Sequence, residues 1–189
     1  MMTRTEALQI LAGIVTDQPV ICGHTAREWN ALTKRPLNLW SGAMGMVSSM
    51  ALGVALQRPD RQVWAFDGDG ALLMNLGSLV TITQTNPPNL VHFVFDNRVY
   101  QASGEQPVPG AEFVDFAALA RAAGFRHVYS FEDAGDLRAK LREILLRREL
   151  TFIVIRHTKG EGAWGDRDPY RVEPTVEKVY RFKRALEER

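Results

Sequence analysis

Asp69 and Asn97 are the residues whose types and spacing best suit chemistry. Asp69 lies in Asp67-Gly68-Asp69-Gly70, directly after the apolar run 62–66, and Asn97 follows the apolar run 90–95. Two parallel strands joined by one helix end on the same edge of a sheet. Both side chains are therefore expected on the carboxyl rim, where open α/β sheets bind ligands. A carboxylate oxygen, an amide oxygen and a nearby main-chain carbonyl form a hard-oxygen set suited to Mg²⁺. Gly68 and Gly70 remove side chains around the carboxylate. Backbone N–H groups can then approach phosphate oxygens, and a following helix N-terminus favours the same negative charge. Gly68-Asp69-Gly70 alone reads more simply as a strand-end turn in which Asp69 caps the next helix. A phosphoacceptor aspartate is a further reading. The spacing shifts the balance, because twenty-six residues separate Gly70 from Asn97. One crossover helix, a Pro87-Pro88 turn and one strand account for that length.

The elements that must position these residues alternate in type. Thr3-x-x-Glu6 is a capping box that opens a helix with Leu8, Leu11 and Val15 on one face. A strand is expected over 19–22, then a polar stretch, then a small-residue helix over 42–56 that Pro59 stops. Strand 62–66, helix 72–85 and strand 90–95 follow. Asp115 caps a helix running to Ala123, with Gly124 as its stop. Strand 126–129, helix 134–147 and strand 151–155 continue the alternation. A last helix over 175–188 puts Val176, Val179, Phe182 and Leu186 on one side. Stretches 101–110 and 160–174 read as loops. The expected fold is a single three-layer α/β domain over 1–189 with a mainly parallel central sheet.

Composition narrows the function classes. The 189 residues are 46% hydrophobic and 24% charged, which suits a globular chain rather than a disordered one. Lys plus Arg number 23 and Asp plus Glu 22, so no basic excess points to nucleic acid. Every apolar stretch is interrupted well short of the ~18 residues of a membrane span. Residues 1–6 lack the apolar core of a secretory signal, so a cytoplasmic location is expected. Cys22 is the single cysteine, which excludes an internal disulfide and a cysteine-held cluster. It reads as a buried strand residue. His92 and His157 lack metal-ligand spacing.

The Gly-Asp-Gly, span and Asn pattern matches the thiamin diphosphate fingerprint, and the resemblance extends beyond it. Gly23-His24-Thr25-Ala26-Arg27-Glu28, Gly42-Ala43-Met44-Gly45-Met46-Val47-Ser48-Ser49, the run from Asp67 to Gly77, and Asp96-Asn97-Arg98-Val99-Tyr100 through Gln106-Pro107 carry it. The chain resembles the thiamin diphosphate-dependent 2-oxo acid decarboxylases. Within them it is most similar to the diphosphate-binding units of the sulfopyruvate and phosphonopyruvate decarboxylases.

That resemblance implies a thiamin diphosphate-binding fold of the diphosphate-binding type. It implies Mg²⁺ held by Asp69, Asn97 and the Val99 carbonyl, and a diphosphate held around Gly68, Gly70 and Ala71. Met44 would be the apolar wedge that bends the cofactor, and the Gly42 carbonyl would accept from its aminopyrimidine. His24 is a candidate proton relay at the end of the first strand. Thr25, Arg27, Arg98 and Gln106 are substrate or loop candidates, though Thr25, Arg27 and Glu28 read equally as a cap and a surface ion pair. The stretch Ala102-Ser103-Gly104-Glu105-Gln106 stands where related loops carry Ser-Thr-Gly-Gly-Gln. In contact with an anionic substrate tail, Glu105 would repel it and Arg98 attract it.

In this family a separate pyrimidine-binding domain supplies the activating Glu. A chain of this length has no room for it, so the resemblance implies a hetero-oligomer with a pyrimidine-binding subunit, acting on a small 2-oxo acid. A carboligase, a 2-oxo acid oxidoreductase component and a non-catalytic cofactor-binding module are the alternatives.

Overall fold

The structure is a computed structural model that describes residues 1–158 and 175–188. Six parallel strands form the central sheet: β1 (Val20–Cys22), β2 (Asn38–Trp40), β3 (Val63–Gly68), β4 (Leu90–Asp96), β7 (His127–Phe131) and β8 (Thr151–Arg156). Their order is β2-β1-β3-β4-β8-β7, so the direction of travel reverses between β1 and β3. The expected α/β fold with a parallel sheet is what forms. β3 and β4 are neighbours, with Gly68 opposite Phe95, and this brings Asp69 and Asn97 to one edge.

Side chains alternate between two cores. Val63 and Ala65 join α3 (Val47–Gln57), α5 (Ser78–Thr85), α6 (Phe116–Ala122) and part of α8 (Thr175–Glu187) on one face. Trp64 and Phe66 join α1 (Arg4–Ala12), α2 (Ala26–Thr33) and α7 (Ala134–Leu146) on the other. Burial on both faces is why β3 and β4 read as largely apolar runs, with the buried His92 and Asp67 paired at 3.4 Å between them. The second core is aromatic: Trp29, Trp64, Phe93 and Phe95 surround Phe66 at ring separations of 4.9 to 6.1 Å.

Several boundaries differ from the sequence reading. α3 starts at Val47, because Gly42 and Gly45 have φ of +78° and +76° and cannot enter a right-handed helix. Helix 72–85 is two helices, α4 (Asp69–Leu73) and α5, separated at Asn75-Leu76-Gly77. There the Asn75 amide turns away to donate to the Gly45 carbonyl at 2.8 Å. The polar stretch after β1 contains α2 and β2, tied by the buried Trp29 indole donating to Asn38 Oδ1 at 2.8 Å. Loop 101–110 carries half of a small hairpin of β5 (Val99–Tyr100) and β6 (Gln106–Pro107). Stretch 160–174 lies outside the described residues. In α8, Phe182 is buried and Leu186 packs against the core, whereas Val176 and Val179 are exposed.

Among the described residues no helix is long and apolar enough to cross a membrane. The capping box at Thr3 forms in full, with Thr3 N–H donating to Glu6 at 2.8 Å and Glu6 N–H donating to Thr3 Oγ1 at 3.2 Å. Met2 then bridges to His157 beside the end of β8, which fixes the start of α1 at the carboxyl edge of the sheet.

Candidate metal and cofactor site

Asp69 is the first residue of α4 and is almost wholly buried. Its Oδ1 accepts from Gly70 N–H at 2.8 Å and its Oδ2 from Arg98 N–H at 2.7 Å. Each carboxylate oxygen retains lone-pair capacity beyond those bonds. Burial, followed by the nearby Asp96 charge, pushes the Asp69 carboxyl up to about 7 against the opposing pull of the two N–H groups. A buried carboxylate beside a second carboxylate is an environment that a cation relieves.

Asn97 follows β4 and is also buried. Its Oδ1 accepts from Val99 N–H at 3.1 Å, and its Nδ2 donates to Gln101 Oε1 at 3.2 Å. The turn needs Arg98 at φ +66°, a left-handed conformation that costs a non-glycine residue and is sustained here by its bond to Asp69. Asp69, Asn97 and the Val99 backbone thus converge through a few backbone hydrogen bonds. Among the described residues there is no cluster of three His, Cys, Asp or Glu suited to a metal. The candidate is of another kind, one carboxylate and one amide with main-chain carbonyls nearby, and a diphosphate would supply the remaining oxygens.

Two glycines bring the surrounding side chains close. A Cβ on Gly68 would lie 2.7 Å from His24 Nδ1, and one on Gly70 would overlap the Tyr100 ring. His24 therefore lies against the strand end. Its side chain is nonetheless exposed. Ala71 is buried in the first turn of α4. Gly42 lies in the left-handed region with no atom near its Cβ position. Met44 is 48% exposed, so it is not core packing.

The remaining candidates are scattered. Thr25 is fully buried, makes no capping bond, and its Oγ1 has no hydrogen-bond partner among the described residues. Arg27 is half-buried on α2, and Gln106 is exposed on β6. The Arg98 side chain approaches Asp96, with Nε 3.8 Å from Oδ1. Glu28 forms an ion pair with Arg4 at 2.8 Å. Sequence reasoning assigned no role to Asp96, Tyr100, Gln101 or Arg4. The Asp96-Asn97 pair at a strand end was a signal for the first; the others meet the site only through tertiary packing.

This combination of parallel sheet, glycine-flanked aspartate and neighbouring asparagine defines a class. The family model for the thiamine pyrophosphate enzyme C-terminal TPP binding domain matches residues 23–155, and the chain belongs to that family. It is 40% identical over 136 residues to sulfopyruvate decarboxylase subunit beta of Methanothermobacter thermautotrophicus, covering 70% of this chain and 72% of that one. It is also 40% identical over 147 residues to phosphonopyruvate decarboxylase of Streptomyces viridochromogenes, covering 76% of this chain. The match spans only 36% of that longer protein. The fold also resembles the thiamine diphosphate-dependent 4-hydroxybenzoylformate decarboxylase of Rhodococcus jostii, with a TM-score of 0.69 at 23% identity, covering 82% of this chain and 32% of that one.

Proposed function

We propose that this chain is the diphosphate-binding subunit of a Mg²⁺-dependent, non-oxidative thiamin diphosphate decarboxylase of a small 2-oxo acid. In this reading it works in the cytoplasm with a separate pyrimidine-binding subunit that contributes the activating Glu. The observation that carries it is the juxtaposition of buried Asp69 and Asn97 after adjacent parallel strands, joined through the 97–99 backbone. The kinship to a decarboxylase beta subunit, matched over most of its length, supports the partner.

Asp69 and Asn97 would hold the metal through their side-chain oxygens, with the Val99 carbonyl as third protein ligand. The backbone of Gly68, Gly70 and Ala71 at the start of α4 would hold the diphosphate, with His24 and Tyr100 packed where side chains on the two glycines would stand. Exposed Met44 would pack against the cofactor rings, with the Gly42 carbonyl as hydrogen-bond acceptor. Thiamin diphosphate, when bound, supplies the carbon nucleophile and electron sink for loss of carbon dioxide. The contribution of this chain is binding, orientation and exclusion of water. His24, packed against Gly68, is a candidate to accept or return a proton at its imidazole nitrogen. Thr25, Arg27, Arg98 and Gln106 are secondary substrate or loop candidates.

Calorimetric titration of thiamin diphosphate into the chain, with its pyrimidine-binding partner where one is required, tests the reading. Binding should need Mg²⁺, vanish with a chelator, and be lost in Asp69→Ala. Metal-independent binding, or unchanged affinity in Asp69→Ala, would remove the metal assignment.

A further inference from the structure

An amide ligand has two chemically different ends, and only its oxygen can bind a hard cation. We propose that Gln101 and Arg4 are positioning residues that, together with the Val99 N–H, hold the Asn97 amide with its oxygen toward the metal site. The proposal rests on the reading of Asp69 and Asn97 as metal ligands.

A guanidinium only donates hydrogen bonds. Arg4 Nη1 donates to Gln101 Oε1 at 3.0 Å, so the oxygen of Gln101, not its nitrogen, faces Arg4. The same Oε1 lies 3.2 Å from Asn97 Nδ2, which must therefore donate to it. With Nδ2 committed to Gln101, Oδ1 occupies the other branch of the amide, where it accepts from Val99 N–H at 3.1 Å. Reversing Asn97 would set oxygen against oxygen at Gln101 and nitrogen against N–H at Val99. A donor-only side chain, acting through one intervening amide, thus reinforces on the Nδ2 side the polarity that the Val99 N–H sets on the Oδ1 side.

Arg4 is itself held. Its Nε donates to Glu28 Oε2 at 2.8 Å, its side chain is 9% exposed, and the Thr5 hydroxyl donates to the other Glu28 oxygen. The capping box at Thr3 fixes where Arg4 leaves the helix. Charge-assisted bonds sheltered from water are the stronger and more directional ones. Segments around residues 4, 28 and 101 thereby converge on one ligand.

The variants Arg4→Met and Gln101→Leu remove the polarity on the Nδ2 side, whereas Gln101→Glu keeps an acceptor for both neighbours. The first readout is the Asn97 side-chain amide resonance in the chain without cofactor, identified by its loss in Asn97→Asp. Arg4→Met and Gln101→Leu should shift it and speed its exchange with solvent, and Gln101→Glu should retain its protection. The second is Mn²⁺ affinity in the presence of thiamin diphosphate, read by electron paramagnetic resonance. Loss of an outer partner should lower it about 10- to 100-fold, with recovery in Gln101→Glu. A purely structural role would lower the melting temperature and leave both readouts unmoved. An unshifted Asn97 resonance in Arg4→Met overturns the proposal. Unchanged Mn²⁺ affinity in Asp69→Ala, or none in the unaltered chain combined with its pyrimidine-binding partner, instead overturns the metal reading, and the resonance still decides the orientation.

Discussion

The carboxyl edge of the sheet has two halves that are finished very differently. Around β3 and β4, Asp69 and Asn97 are buried and bonded to backbone N–H groups. Around the glycine turn before α3 and the end of α4, Met44, Met46, Met74 and Phe113 are exposed by 48%, 45%, 58% and 83%. Met74 lies against Gly45, and together with Phe113 it lines an open apolar recess of about 420 Å³ beside Tyr100. The polar half is held together by hydrogen bonds within this one chain. The apolar half exposes large side chains that a partner surface would cover. Under the proposed function, one half orients metal and diphosphate while the other meets the cofactor rings and the second subunit.

Gly70→Ala should break the polar half most severely. The new methyl would overlap the Tyr100 ring, and ring or α4 must shift. Overpacking of this kind costs about 1–3 kcal/mol, so a clear fall in melting temperature is expected. Metal-dependent cofactor binding should fall with it, since the same shift moves Asp69. A calorimetric scan together with the titration checks both, and unchanged values in the two would mean that Tyr100 yields freely.

Next in size is a pair that separates strain from crowding. Gly42 and Gly45 share the left-handed conformation, but a Cβ at 42 meets nothing within 4 Å while one at 45 comes 3.3 Å from Met74 Cβ. Left-handed backbone costs a side-chain-bearing residue roughly 1–2 kcal/mol. Chemical denaturation should therefore show both Ala variants destabilised, with Gly45→Ala the more so. Equal losses would assign the whole cost to backbone conformation.

The two halves were not equally legible in the sequence. Asp69 and Asn97 were readable because each follows a largely apolar strand and the span between them fits a single crossover. Both signals are local, and the parallel sheet makes them meet. α2 and β2 were not readable as elements. Asn38-Leu39-Trp40 is a three-residue edge strand, and its support, Trp29 donating to Asn38, comes from outside the segment. The break between α4 and α5 likewise depends on Asn75 bonding to Gly45, thirty residues away. Arg4 shows the limit most clearly. The sequence announced the capping box that places it, yet nothing near residue 4 indicates that its guanidinium reaches Gln101.

The smallest expected effect on the chain itself sharpens the comparison at its other end. Phe113→Ser removes the most exposed of these large apolar side chains and touches none of the Asp69 or Asn97 hydrogen bonds. Surface substitutions of this kind usually stay within about 0.5 kcal/mol, so the melting temperature of the isolated chain should barely move. If the apolar half is covered in a complex, sedimentation of the chain with its pyrimidine-binding partner should show weaker association. Asp69→Asn, on the polar half, should spare association and lose metal. Equal association in Phe113→Ser and the unaltered chain would take Phe113 out of the interface and confine the covered surface to the methionines of the glycine turn.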